Sequence, residues 1–191
     1  MSPSPQRAVA IGASAGGVQA LLALLPTLPA DFPWPIFIVL HVPADRSNVL
    51  APLFETKCLL EVKEAEDKET ARPGVVYFAP SDYHLLIESN GDLALSSDEV
   101  VNYSRPSIDV LFESAADAYG AGLTGVILTG ANEDGAAGLS AVTAAGGVAL
   151  VEEPAAAYAQ AMPLAARKAC AAARVLPLAR IAQHLKGLGT E

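Results

Sequence analysis

Three residue types that together perform acyl transfer stand at separate points of this sequence, each just beyond a short apolar run. Ser14 follows Ala8 to Ile11, His41 follows Ile36 to Leu40, and Asp134 lies a few residues beyond Val126 to Leu128. A hydroxyl nucleophile needs a base to take its proton and a carboxylate to orient that base. The local setting of Ser14 suits the first role. Gly12-Ala13-Ser14-Ala15-Gly16 is a G-x-S-x-G pattern, in which a tight strand-to-helix turn lifts a hydroxyl above the end of a sheet. Val18, Leu21, Leu22 and Leu25 then recur at helical spacing. The unpaired N–H groups and positive dipole end of that helix point back at Ser14, where an oxyanion would form.

The motif alone leaves three readings open: a nucleophile, an anion cradle, and a plain tight turn. The same glycines fit a poor G-x-G-x-x-G with Ser14 in the second glycine position. A dinucleotide fold, however, wants an acidic residue at the end of its second strand to hold the ribose, and here that place is taken by His41. Singly, His41 also reads as an ordinary packing residue, and Asp134, just before an alanine-rich helix, as an N-cap.

The elements that must position these residues alternate between strand and helix. The apolar runs 8–11, 36–40, 126–128 and 148–151 read as buried strands, with a strand near Val175. Helical spacing marks the segment after Gly17, a short piece near 49–55, the stretch from Pro106 to Tyr119, the alanine-rich run ending at Gly146-Gly147, a segment from Pro163, and a last helix to Leu188. Leu59 to Glu64 alternates like a strand. Residues 73 to 103 read as an antiparallel insertion, because Asn90-Gly91 between two apolar runs signals a hairpin. The expected fold is a doubly wound, Rossmann-like α/β sandwich: a mostly parallel sheet flanked by helices, with an antiparallel hairpin, in one domain over residues 1–191.

Composition narrows the partners. A hydrophobic content of 52% and a charged content of 17% exclude a disordered chain. A net charge of -9 with no Lys/Arg cluster argues against nucleic acid and against an anionic membrane surface. Ala8 to Ala30 carries no charge, but Gly, Ser and Gln interrupt it and Pro26 and Pro29 close it, so neither a signal peptide nor membrane insertion is expected. Cys58 and Cys170, without a C-x-x-C, read as buried thiols of a cytoplasmic protein. No cofactor and no metal site is expected.

From about Ala8 to its end the sequence resembles the methylesterase domain of the bacterial chemotaxis CheB family. The stretches that carry the resemblance are IGASAGG (11–17), His41 in IVLHVP, RPGVVYFAP (72–80) with His84, RPSID (105–109), GVILTG with DGAAGL (125–139), and AMP (161–163). The resemblance implies that Ser14 attacks a glutamyl methyl ester on a methyl-accepting chemoreceptor, that His41 takes and returns the proton, and that Asp134 orients His41. Deamidation of receptor glutamine is implied as a related reaction. The family usually has Thr, Gln, Met and Gly where Ala15, Leu40, Ala131 and Asn132 stand, so these positions are expected to bear on substrate choice or oxyanion geometry. Against the enzyme stand a degenerate, non-catalytic receptor-binding module and a nucleotide-binding regulator. Because only Met1 to Arg7 precede the first strand, the chain is expected to lack the receiver domain often found in the family and to be active without a phosphodonor. Among other polar residues, His84 reads as structural, His184 as solvated, Arg105 as facing an acidic substrate surface or pairing with Asp109, and Glu152 and Glu153 as a solvated strand end.

Overall fold

The computed structural model describes residues 6–190. Its centre is a seven-stranded, all-parallel sheet made of β1 (Ala8–Ala13), β2 (Ile36–Leu40), β3 (Glu61–Glu64), β4 (Val75–Phe78), β7 (Leu123–Ile127), β8 (Val148–Glu152) and β9 (Arg174–Leu176), in the order β3-β4-β2-β1-β7-β8-β9. A separate two-stranded antiparallel sheet joins β5 (His84–Ile87) to β6 (Leu93–Ser96). The helices are α1 (Gly17–Leu24), α2 (Leu50–Glu55), α3 (Ile108–Tyr119), α4 (Ala136–Ala144), α5 (Ala161–Ala169) and α6 (Leu178–Leu188).

Every residue of β1 and β2 is buried, which is why both read as uninterrupted apolar runs rather than as an alternation. Their side chains divide between two cores. Val9, Ile11, Ile36 and Ile38 face α1, α2 and α6 through Leu21, Leu24, Phe54, Ile181 and Leu185. Ala8, Ala10, Phe37 and Val39 face α3, α4 and α5 through Leu111, Phe112, Leu139, Val142 and Met162, with Leu85, Ile87 and Leu93 of the hairpin completing that layer. The result is the expected doubly wound sandwich.

Three boundaries differ from expectation. β4 is no part of the antiparallel insertion: it pairs in parallel with β2 and β3, with Ile36 opposite Val76 and Val62 opposite Val76. β3 starts at Glu61, because Leu59 is 68% exposed. β7 begins at Leu123, ahead of the apolar run, since Thr124 and Gly125 are buried although neither reads as apolar. Gly125 is there for close approach: an added Cβ would lie 3.1 Å from a methyl of Val142 on α4.

Candidate active site

The chain leaves β1 for β2 on one side and later returns to place β7 on the other, so the carboxyl end of β1 is a switch point where doubly wound sheets open a crevice. Ser14 is the first residue beyond that end. Ala13 lies opposite Leu40, and the His41 N–H donates to the Ala13 carbonyl at 3.0 Å, so the register seats Ser14 beside His41. On the other flank the Ser14 N–H donates to the Thr129 carbonyl at 2.9 Å. Gly16, with φ 81°, caps α1. A side chain there would be strained and would put Cβ 2.6 Å from Cβ of Tyr158. Among the described residues the N–H groups of Ala15 and Gly16 meet no backbone acceptor, which leaves them available to an oxyanion above Ser14.

His41 and Asp134 meet. Nε2 of His41 lies 2.9 Å from Oδ2 of Asp134, with side-chain exposures of 12% and 0%. The contact is a close pair between the ring nitrogen and the carboxylate. Asp134 does not cap the helix that follows it, since the N-cap of α4 is Gly135, with no side-chain cap. Its carboxylate sits instead on the N-terminus of α3. Oδ2 accepts from the Ile108 N–H at 2.6 Å, and Oδ1 accepts from the Asp109 N–H at 3.2 Å, the Ser107 hydroxyl at 2.8 Å and Nδ2 of Asn102 at 2.8 Å. Burial alone would raise the pKa of this acid, but the donors from His41, Ile108, Asn102 and Ser107 outweigh it and hold the carboxylate below its ordinary value. Asp109, buried beside it, is pushed up by desolvation and by the Asp134 charge, so Asp134 is the firmly ionised member of the two.

Three residues hold this arrangement, of which sequence reasoning missed Thr129. Thr129 braces the Ser14 turn: its hydroxyl donates to the Ala15 carbonyl at 2.8 Å and accepts from the Ala159 N–H at 2.8 Å. Asn132 bends the chain into Asp134 by accepting the Asp134 N–H on Oδ1 at 3.1 Å, and its Nδ2 lies 3.3 Å from Nδ1 of His41. An Asn two residues before an Asp at a strand end is an Asx-turn signal and was legible. His84 is structural, as expected: Nδ1 accepts the Ser107 N–H at 3.1 Å, Nε2 reaches the Glu99 carbonyl at 2.9 Å, and the start of α3 is thereby fixed beneath Asp134.

Residues 9–185 match the family model described as CheB methylesterase. A Leptospira interrogans protein is 48% identical over 176 residues, which is 92% of this chain and 91% of that protein. The chain belongs to the CheB methylesterase family. The protein of Bordetella parapertussis named protein-glutamate methylesterase/protein-glutamine glutaminase is 41% identical over 186 residues, 95% of this chain but 53% of that protein. The chain thus spans about half the length of that relative. The crystal structure of the Thermotoga maritima CheB methylesterase catalytic domain matches with a TM-score of 0.90 at 35% identity, covering 97% of this chain and 100% of that one.

In this CheB-family fold three expectations about side residues need correction. Arg105 does not pair with Asp109. It donates through Nε and Nη2 to Oδ1 of Asp82 and through Nη1 to the carbonyls of Ser97 and Asp98, because the loop before α3 turns it away from that helix. Glu152 is not solvated but 5% exposed, and it accepts the Thr129 N–H at 2.8 Å from the strand end next door. His184 on α6 is half-buried rather than solvated.

Burial raises the Glu152 pKa, with the Thr129 N–H opposing. An acid whose folded pKa is raised favours folding while protonated, so its contribution is full below the ordinary Glu value and is lost as pH rises through the folded value. Glu152→Gln keeps the acceptor and removes the charge. Between about pH 4 and 7 the wild type is expected to lose stability relative to this variant. Urea unfolding at the two pH values checks it, and a constant difference would contradict the assignment.

A cleft of about 200 Å³ opens beside His41, lined by Leu40, Ala79, Ser81, Tyr103, Arg105 and Pro106 among others. Sites that enclose a whole drug-sized ligand run to roughly 300–1,000 Å³. The cleft therefore suits one side chain reaching in from a larger partner. Among the described residues no cluster of metal-ligating side chains exists, and no helix is long and apolar enough to cross a membrane.

Proposed function

We propose that this chain is a protein-glutamate methylesterase that removes methyl groups from glutamyl esters of a chemoreceptor and deamidates receptor glutamine by the same route, with Ser14, His41 and Asp134 as its triad. The observation that carries this reading is the contact between His41 and the buried, ionised Asp134, made beside the strand end where Ser14 sits. Oγ of Ser14 attacks the ester carbonyl carbon while its proton passes to the imidazole of His41. The carbonyl oxygen becomes an oxyanion facing the N–H groups of Ala15 and Gly16. As the carbon–oxygen bond breaks, His41 returns the proton to the methoxide, which leaves as methanol. Water, deprotonated by His41, then attacks the acyl-enzyme and frees the glutamate and Ser14. With glutamine the leaving group is ammonia.

The methyl-accepting partner fits the single-side-chain cleft, and the names of the relatives point to the same substrates. We place the reaction in the cytoplasm, which agrees with the free thiols Cys58 and Cys170. Methanol release from a methylated receptor fragment tests the proposal. Stoichiometric methanol from the wild type is expected, and none after prolonged incubation would refute it.

A further inference from the structure

The imidazole of His41 has two nitrogens, and the structure occupies both. Nε2 faces Asp134, so Nδ1 is the nitrogen left to serve as base for Ser14. Among the described residues no hydrogen bond joins Ser14 to that nitrogen; Nδ2 of Asn132 lies there instead, at 3.3 Å. The amide cannot be turned the other way round. Oδ1 of Asn132 accepts the backbone N–H of Asp134 at 3.1 Å, and a backbone N–H can only donate. The nitrogen of the amide therefore faces His41, and an amide N–H can only donate to Nδ1. Nδ1 must then carry its lone pair and Nε2 the ring proton. The amide thus matches the tautomer that makes Nδ1 basic and covers its lone pair.

We infer that Asn132 is a positioning residue that clamps the general base: its amide accepts only the tautomer that Asp134 favours and competes with Ser14 for Nδ1, so Ser14 is activated only when the amide lets go. The contact is built to be broken. At 3.3 Å it is longer than a good N–H hydrogen bond, whereas the turn that aims the amide is shorter. Asn132 is half-buried at the mouth of the crevice, where a substrate carbonyl or amide can offer its Nδ2 a better acceptor. This inference rests on the triad reading above.

The test reads Ser14 directly, through the rate at which a fluorophosphonate labels it in the purified chain. Asn132→Ser keeps an oxygen that can accept the Asp134 N–H but cannot reach His41, and should be labelled about 3- to 10-fold faster than wild type. Asn132→Asp is isosteric and keeps the turn, but sets an acceptor against the lone pair. His41 must then carry a proton on Nδ1, and labelling should fall by about 100-fold or more. Nitrogen-15 spectra of His41 should show the proton on Nε2 alone in wild type and Asn132→Ser, and on Nδ1 in Asn132→Asp. Opposite signs from two variants that both keep the turn are not what a merely structural residue produces. Asn132→Ala, also expected to be faster, serves if Asn132→Ser does not fold. Wild type labelled at Ser14 with Asn132→Ser no faster would overturn the clamp alone. No labelling of Ser14 in any of the proteins would overturn the triad and the clamp with it.

Discussion

Ser14→Ala or His41→Ala is expected to lower the rate of methanol release by about 10⁴- to 10⁶-fold with the circular dichroism spectrum unchanged. Ser14 stands in the turn between β1 and α1 with its backbone held by Thr129, and His41 is the first residue past β2, so neither side chain supports the core. A large loss must therefore come from chemistry. The double variant should be scarcely worse than either single one, because base and nucleophile act as a unit and the second loss removes nothing that still works. Residual turnover would reflect the N–H groups of Ala15 and Gly16 and substrate positioning, which both variants leave in place. Either single variant retaining activity within about tenfold of wild type would remove that residue from the mechanism.

What could be read from sequence, and what could not, divides along the distance over which each feature is determined. β1 and β2 announce themselves because a strand buried on both faces is an unbroken apolar run, and the glycines after Ile11 mark its turn. Ser14 and His41 are legible for the same reason, as the first polar side chains beyond such runs. The start of β7 was hidden because Thr124 and Gly125 are buried by α4 packing that only the fold supplies. β4 was recognisable as a strand, yet its neighbours are set by pairing with residues far away in the chain, so a local reading joined it to the hairpin. Glu152 looked solvated because a charge at a strand end usually is. Its partner, the Thr129 N–H, comes from the adjacent strand end 23 residues away.

Asp134 is the sharpest case, and it leads to the remaining large prediction. Locally it reads as the cap of the helix that follows it, but its acceptors serve α3, with the Ile108 N–H 26 residues distant. A cap tolerates Asn, whereas a carboxylate ringed by donors does not. In Asp134→Asn one oxygen becomes an NH₂. At the Oδ1 position it would oppose Asn102, Ser107 and Asp109, and at the Oδ2 position only Ile108 and His41. The second placement sacrifices fewer bonds, and His41 can accept from the new amide if its proton moves to Nδ1, which also breaks the long 3.3 Å contact from Nδ2 of Asn132. That is the tautomer in which Nδ1 can no longer act as base, and turnover should fall by about 10⁴-fold. The same change leaves the Ile108 N–H facing a donor in a fully buried site, at a cost of about 2–4 kcal/mol in stability. Because the folded pKa of Asp134 is lowered, the stability it confers is present above the ordinary Asp value near 3.9 and is lost as pH falls through the folded value. The stability gap between wild type and Asp134→Asn should thus be full at about pH 7 and close below about pH 4. Urea unfolding across that range, run beside methanol release at neutral pH, measures both effects. A folded Asp134→Asn protein with nearly unchanged rate would return this residue to a purely structural role, and a gap independent of pH would show that its charge is not what α3 and His41 require.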